Sequence, residues 1–135
     1  MYMGVFSNIF GSKEDKVSKP EENSYLNWLP LTTIGQLEEI KEMSKTEPVF
    51  IFKHSTRCSI SSIVLKRFEA LFEEEHKELK VYYLDLLSYR NISDEIGHTF
   101  QVVHQSPQLI ILKNGISVQN ASHYDITNTD LSTFI

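Results

Sequence analysis

Cysteine occurs once in the 135 residues, at position 58. A lone thiol closes no internal disulfide, which fits a reducing compartment. It also rules out a zinc site needing two or more cysteine ligands from this chain. What remains is nucleophilic chemistry, in which the thiolate is the reactive form. The surroundings of Cys58 favour it. Val49-Phe50-Ile51-Phe52 is a continuous apolar run, the pattern of a strand buried on both faces. His54-Ser55-Thr56-Arg57 reads as a polar turn. From Cys58 onward Ile60, Ile63, Val64, Phe68, Leu71 and Phe72 recur mostly three and four residues apart, predicting an amphipathic helix that ends near His76. Cys58 therefore falls where a helix begins. The first amides of a helix lack intrahelical partners and carry partial positive charge. Such a position lowers a cysteine pKa from about 8.5 into the range of about 3.5–7.5.

The neighbours add to this expectation. Arg57 and His54 each bring positive charge near the sulfur, or His54 serves instead as a proton acceptor. Both roles for His54 stay open. Ser59 and Ser61 offer hydroxyls that donate to sulfur without forming a disulfide. The competing reading makes Cys58 a small buried apolar residue, as free cysteines commonly are. The polar run Ser55, Thr56, Arg57, Ser59, Ser61 and Ser62 argues against full burial.

Elements able to position the thiol follow from the same patterns. Thr33-Ile34-Gly35-Gln36 has the form of a capping box, with Ile34, Leu37 and Ile40 at helical spacing behind it. Val81-Tyr82-Tyr83-Leu84 and Leu109-Ile110-Ile111-Leu112 are further strand candidates, and Trp28 to Leu31 is a possible first strand. Ile92, Ile96 and Phe100 mark a short helix that Gly97 weakens. Asn114-Gly115 is a hairpin turn signal, so Ile116 to Ala121 is the returning strand. Thr127 to Ile135 reads as a short terminal helix. Alternating strands and helices require parallel crossovers, while the late hairpin adds an antiparallel edge. The expected architecture is α/β, a mixed central sheet with helices on both faces. Pro107 stands directly before a buried strand, where proline is tolerated.

Bulk properties narrow the function classes. The length suggests one domain, large enough to bury a core without disulfides. Residues 1–24 are expected to be a flexible tail and 25–135 the domain, because Gly11 to Ser24 is polar and nearly devoid of core formers. The net charge of −5 disfavours a nucleic-acid binder, which needs a basic face. No apolar run approaches the roughly 18 residues of a membrane span. The N-terminus lacks the basic leader and apolar stretch of a secretory signal, so a cytoplasmic, non-membrane protein is expected. Val5, Phe6, Ile9 and Phe10 are apolar, but so short a segment is marginal as a helix. Glu73-Glu74-Glu75 reads as a solvated helix face, and no metal site is expected.

Lys53-His54-Ser55-Thr56-Arg57-Cys58-Ser59-Ile60-Ser61 resembles the active-site segment of the monothiol bacilliredoxins of the bacillithiol system, the YtxJ-like proteins. Ser106-Pro107-Gln108, followed by Leu109 to Gly115, is similar to that family's cis-proline segment, strand and turn. The resemblance covers roughly residues 25–135. It implies a thioredoxin-like fold and bacterial cytoplasmic thiol–disulfide exchange. It makes Cys58 the nucleophile, with Thr56, Arg57, Ser59 and Ser61 in support and Ser61 in place of a resolving cysteine. Ser106, Pro107 and Gln108 become the substrate-binding segment, with Pro107 a cis-proline facing the cysteine. Ser59 stands where members of that family carry proline. The implied partners are thiolated client proteins together with a small thiol or a reductase. Bacillithiol is then a co-substrate, no cofactor is bound, and the chain is a monomer. Two other classes compete: a non-catalytic adaptor with an inert Cys58, and an iron–sulfur carrier of the monothiol glutaredoxin kind. The carrier motif has glycine after the cysteine, where this chain has Ser59.

Overall fold

The computed structural model describes residues 25–135; the expected tail, residues 1–24, lies outside them. Five strands form one sheet: β1 (Trp28–Pro30), β2 (Val49–His54), β3 (Lys80–Asp85), β4 (Gln108–Lys113) and β5 (Ile116–Ser122). Three helices accompany it: α1 (Gly35–Met43), α2 (Ser59–Ala70) and α3 (Arg90–Phe100). The spatial order is β1-β3-β2-β4-β5. β1 and β2 run parallel to β3, whereas β4 is antiparallel to both β2 and β5. The mixed sheet expected from the sequence is therefore present.

Side-chain alternation along β2 divides the core. Phe50 and Phe52 face a cluster with Val64 and Phe68 of α2 and Ile126, Leu131 and Phe134 of the C-terminal segment. Val49 and Ile51 face a second cluster with Leu37 and Ile40 of α1 and Ile92, Ile96 and Phe100 of α3. Helices thus cover both faces. Truncating a side chain as buried as Phe68 to alanine removes about 3–5 kcal/mol.

Local signals act as chemistry dictates. Thr33 Oγ1 accepts from the Gln36 amide at 3.3 Å, and Gln36 Oε1 accepts from the Thr33 amide at 3.0 Å, closing the capping box. Asn114 and Gly115 both adopt positive φ, 56° and 79°, as a tight two-residue hairpin turn requires. At Gly97 an added Cβ would lie 3.1 Å from the Val102 carbonyl oxygen, so glycine there lets the chain close tightly behind α3.

Three expected boundaries are corrected. α2 stops at Ala70, not near His76. The next two amides, of Leu71 and Phe72, bond three residues back, which tightens the last turn. Glu73 is then extended, and its amide donates to His76 Nδ1 at 3.0 Å, opening a separate 3-10 turn over Glu74–His76. The acidic triplet is exposed but is not a face of α2. The expected terminal helix is two 3-10 turns, His123–Asn128 and Leu131–Phe134, separated where the extended Asp130 caps the second through the Ser132 amide. Finally, His54 belongs to β2 rather than to a polar turn, and it is buried. Among the described residues no helix is long and apolar enough to cross a membrane.

Candidate active site

β2 ends where β4 begins. Their last register pair is Lys53 with Gln108, so the chain leaving β2 towards Cys58 and the chain entering β4 through Pro107 share one edge of the sheet. Cys58 is the N-cap of α2, with extended φ and ψ of −109° and 119°, and its sulfur makes no capping bond to the helix. It is half-buried. Its amide donates to the Ser55 carbonyl at 3.2 Å, and its own carbonyl accepts from Ser62 at 3.1 Å. The loop is thus closed as a turn that hands the chain directly to α2. The free amides of the first helical turn provide the partial positive charge that favours an anion at this end.

Two consecutive β2 residues reach to opposite faces of the sheet. His54 lies on the α2 side, where its Nδ1 is 2.7 Å from Ser61 Oγ. The Ser55 amide donates to the same oxygen at 3.1 Å. Ser61 is fully buried, so its hydroxyl ties the end of β2, the turn and the first turn of α2 together. Burial pushes the His54 pKa below its usual value, and Asp85, its register partner on β3, opposes that shift. The lowered pKa favours the neutral imidazole, so of the two roles left open for His54 it favours the proton acceptor over the positive charge. Thr56, Arg57 and Ser59 are exposed around Cys58.

Lys53 reaches the opposite face and is fully buried. Its Nζ donates to the Ser93 carbonyl of α3 at 3.3 Å and lies 3.2 Å from His104 Nδ1. Burial lowers its pKa to about 8, with Asp94 pulling the other way. His104 is exposed at its outer side, and partial desolvation of its ring, with the charges of Lys53 and Arg90, lowers its pKa, against Asp94. Beside Lys53, the buried Gln108 donates through Nε2 to the Val103 carbonyl at 2.9 Å and accepts from the Gln105 amide at 3.3 Å. Val103, His104 and Gln105 are thus held from β2 and β4 together. They lead into Ser106 and Pro107, whose peptide bond is cis. Pro107 is buried, and its carbonyl accepts from the His123 amide at 3.0 Å.

Sequence reasoning missed Lys53 as a buried group and His54 as a strand residue. The period-two alternation Phe50, Phe52, His54 against Ile51, Lys53 was the available signal. Among the described residues no group of three or more His, Cys, Asp or Glu side chains is arranged to hold a metal ion.

A mixed five-stranded sheet, a cysteine capping the helix after its central strand and a proline opening the neighbouring antiparallel strand define a thioredoxin-fold thiol–disulfide oxidoreductase. A family model described as monothiol bacilliredoxin BrxC matches residues 29–131, and the chain belongs to that family. A solved structure described as a candidate oxidoreductase with a thioredoxin fold is 35% identical, with a TM-score of 0.65, covering 78% of this chain and 88% of the other. Thioredoxin of Schistosoma mansoni, 21% identical, superposes with a TM-score of 0.62 over 83% of this chain and 99% of its own. Malassezia sympodialis thioredoxin, 17% identical, gives 0.60 over 73% and 81%. The two thioredoxins bear on the fold alone.

Proposed function

We propose that this chain removes a small thiol, bacillithiol or a close analogue, from mixed disulfides on client proteins. The Cys58 thiolate attacks the sulfur of the small thiol. A new disulfide forms between Cys58 and that thiol as the old one breaks, and the client leaves as a thiolate that takes up a proton. Without a second cysteine in the chain, the adduct is released when another molecule of small thiol, or a partner reductase, attacks it. Each step exchanges one disulfide for another, so electrons balance without a bound cofactor.

The observation that carries this reading is Cys58 itself, half-buried at the N-cap of α2 with its sulfur free of helix-capping duty. Thr56, Arg57 and Ser59 offer polar surface around it, Ser61 anchors its helix, and Ser106 and Pro107 form the client-facing segment before the neighbouring strand, with the buried Gln108 holding that segment from behind. The protein acts as a monomer in the cytoplasm. The test is turnover of a bacillithiol-modified protein by wild type and by Cys58→Ser. Release of the small thiol that requires Cys58 supports the reading; equal rates leave only a binding role.

A further inference from the structure

The buried lysine is the group that this chemistry leaves unexplained. Taking an ammonium out of water costs free energy, and Lys53 is 0% exposed. Its hydrogen-bond partners are a carbonyl and an imidazole rather than a carboxylate. The Ser93 carbonyl sits inside α3, where the helix ladder already gives it a donor. A methionine would fill similar space at a smaller desolvation penalty. What methionine cannot do is bond to His104, and His104 stands in the segment that enters Pro107.

The geometry points to a clasp in which Lys53 Nζ, through His104 Nδ1, sets the position of the Val103–Ser106 segment and thereby the client-binding side of the active site. Lys53 is a positioning residue here and does not touch the reacting sulfurs. The inference rests on the exchange reading above. Gln108 holds the same segment by its backbone, at the Val103 carbonyl and the Gln105 amide. Lys53 adds a side-chain tie to the residue between them, at 3.2 Å, beside a longer contact of 3.5 Å from Ser93 Oγ to the same His104 nitrogen. The charged and titratable groups facing the clasp are Asp94 and Arg90 on α3, with Lys53 itself on β2. The bond needs His104 Nδ1 as acceptor, so a protonated His104 cannot make it.

The clasp predicts a split between substrates. Two probes are used: a synthetic peptide with one cysteine in mixed disulfide with bacillithiol, and 2-hydroxyethyl disulfide, which offers no peptide to dock. For Lys53→Met we expect KM for the peptide to rise about tenfold or more, since small misplacements of a binding segment carry effects of that size. Turnover of 2-hydroxyethyl disulfide and the iodoacetamide alkylation rate of Cys58 should stay within about twofold, below the effect expected of mispositioning. His104→Ala should raise the peptide KM similarly, and the double variant should go little further, because the Lys53–His104 bond is lost in both single variants. Melting temperatures report whether the variants fold. An unchanged peptide KM in a folded Lys53→Met overturns the proposal. So does an equal loss on both probes, which would mark Lys53 as a general structural residue. If wild type turns over neither probe, the exchange reading fails and the clasp falls with it.

Discussion

Ser61 Oγ stands 2.7 Å from His54 Nδ1 and also accepts the Ser55 amide, so one buried hydroxyl joins the last residue of β2 to the helix that Cys58 caps. In a dithiol active site the position three after the nucleophile holds a second sulfur. Here a hydroxyl holds the frame together instead.

Ser61→Ala should therefore act on stability more than on chemistry. It leaves a buried imidazole nitrogen and a half-buried amide without their common partner, a loss of about 1–3 kcal/mol. The melting temperature should fall by roughly 3–10 °C for a domain of this size. De-thiolation below the new transition should stay within a few-fold of wild type, a range smaller than loss of a nucleophile would give. A variant with unchanged melting temperature would show that the hydroxyl bears no load.

His54 makes the stability of the protein sensitive to acid. Its folded-state pKa lies below the ordinary value of 6.5, chiefly through burial. Below pH 6.5 the unfolded chain binds the proton first, so this contribution is full above that pH and is lost as pH falls towards the folded value. In His54→Asn, whose side-chain oxygen can still bond to Ser61, the fall in unfolding free energy below pH 6.5 should be shallower than in wild type. Identical slopes in denaturant titrations across that window would contradict the assignment.

Lys53 acts in the same sense in a second window, at alkaline pH. Its pKa is lowered from 10.5 to about 8 by burial. Between those values the unfolded state holds more protons, so stability rises with pH there. Lys53→Met should be at least as stable as wild type at pH 7.5 and should lose that relative advantage by pH 10. A methionine variant equally destabilised at both pH values would mean that the amine serves as a plain structural tie.

The sequence made legible those features that rest on local pattern. Cys58 at a helix start follows from an apolar run meeting a helical repeat. Pro107 before Leu109–Leu112 and the Asn114-Gly115 turn follow from backbone chemistry. Hidden from it were contacts created by register and packing. Lys53 meets Ser93 and His104 across sequence separations of 40 and 51 residues, a proximity set by the β2–β4 pairing and by the seat of α3. His54 looked like a turn residue because polarity after an apolar run usually ends a strand. The strand continued because Ser61 and Asp85 gave the imidazole a polar niche. α2 ended early because Phe72 packs into the core while Glu73 turns extended, a choice that helical spacing alone does not reveal.

The central claim is that Cys58 is the nucleophile, and mass spectrometry tests it most directly. Wild-type protein is mixed, without reductant, with a client protein carrying bacillithiol in mixed disulfide. Intact masses are then followed for both partners, with Cys58→Ser in parallel. The expected result is one bacillithiol mass gained at Cys58 as the client loses the same mass, with no transfer in Cys58→Ser. Loss of the client adduct at equal rates with both proteins, or wild type that gains no mass while the client stays modified, would contradict it.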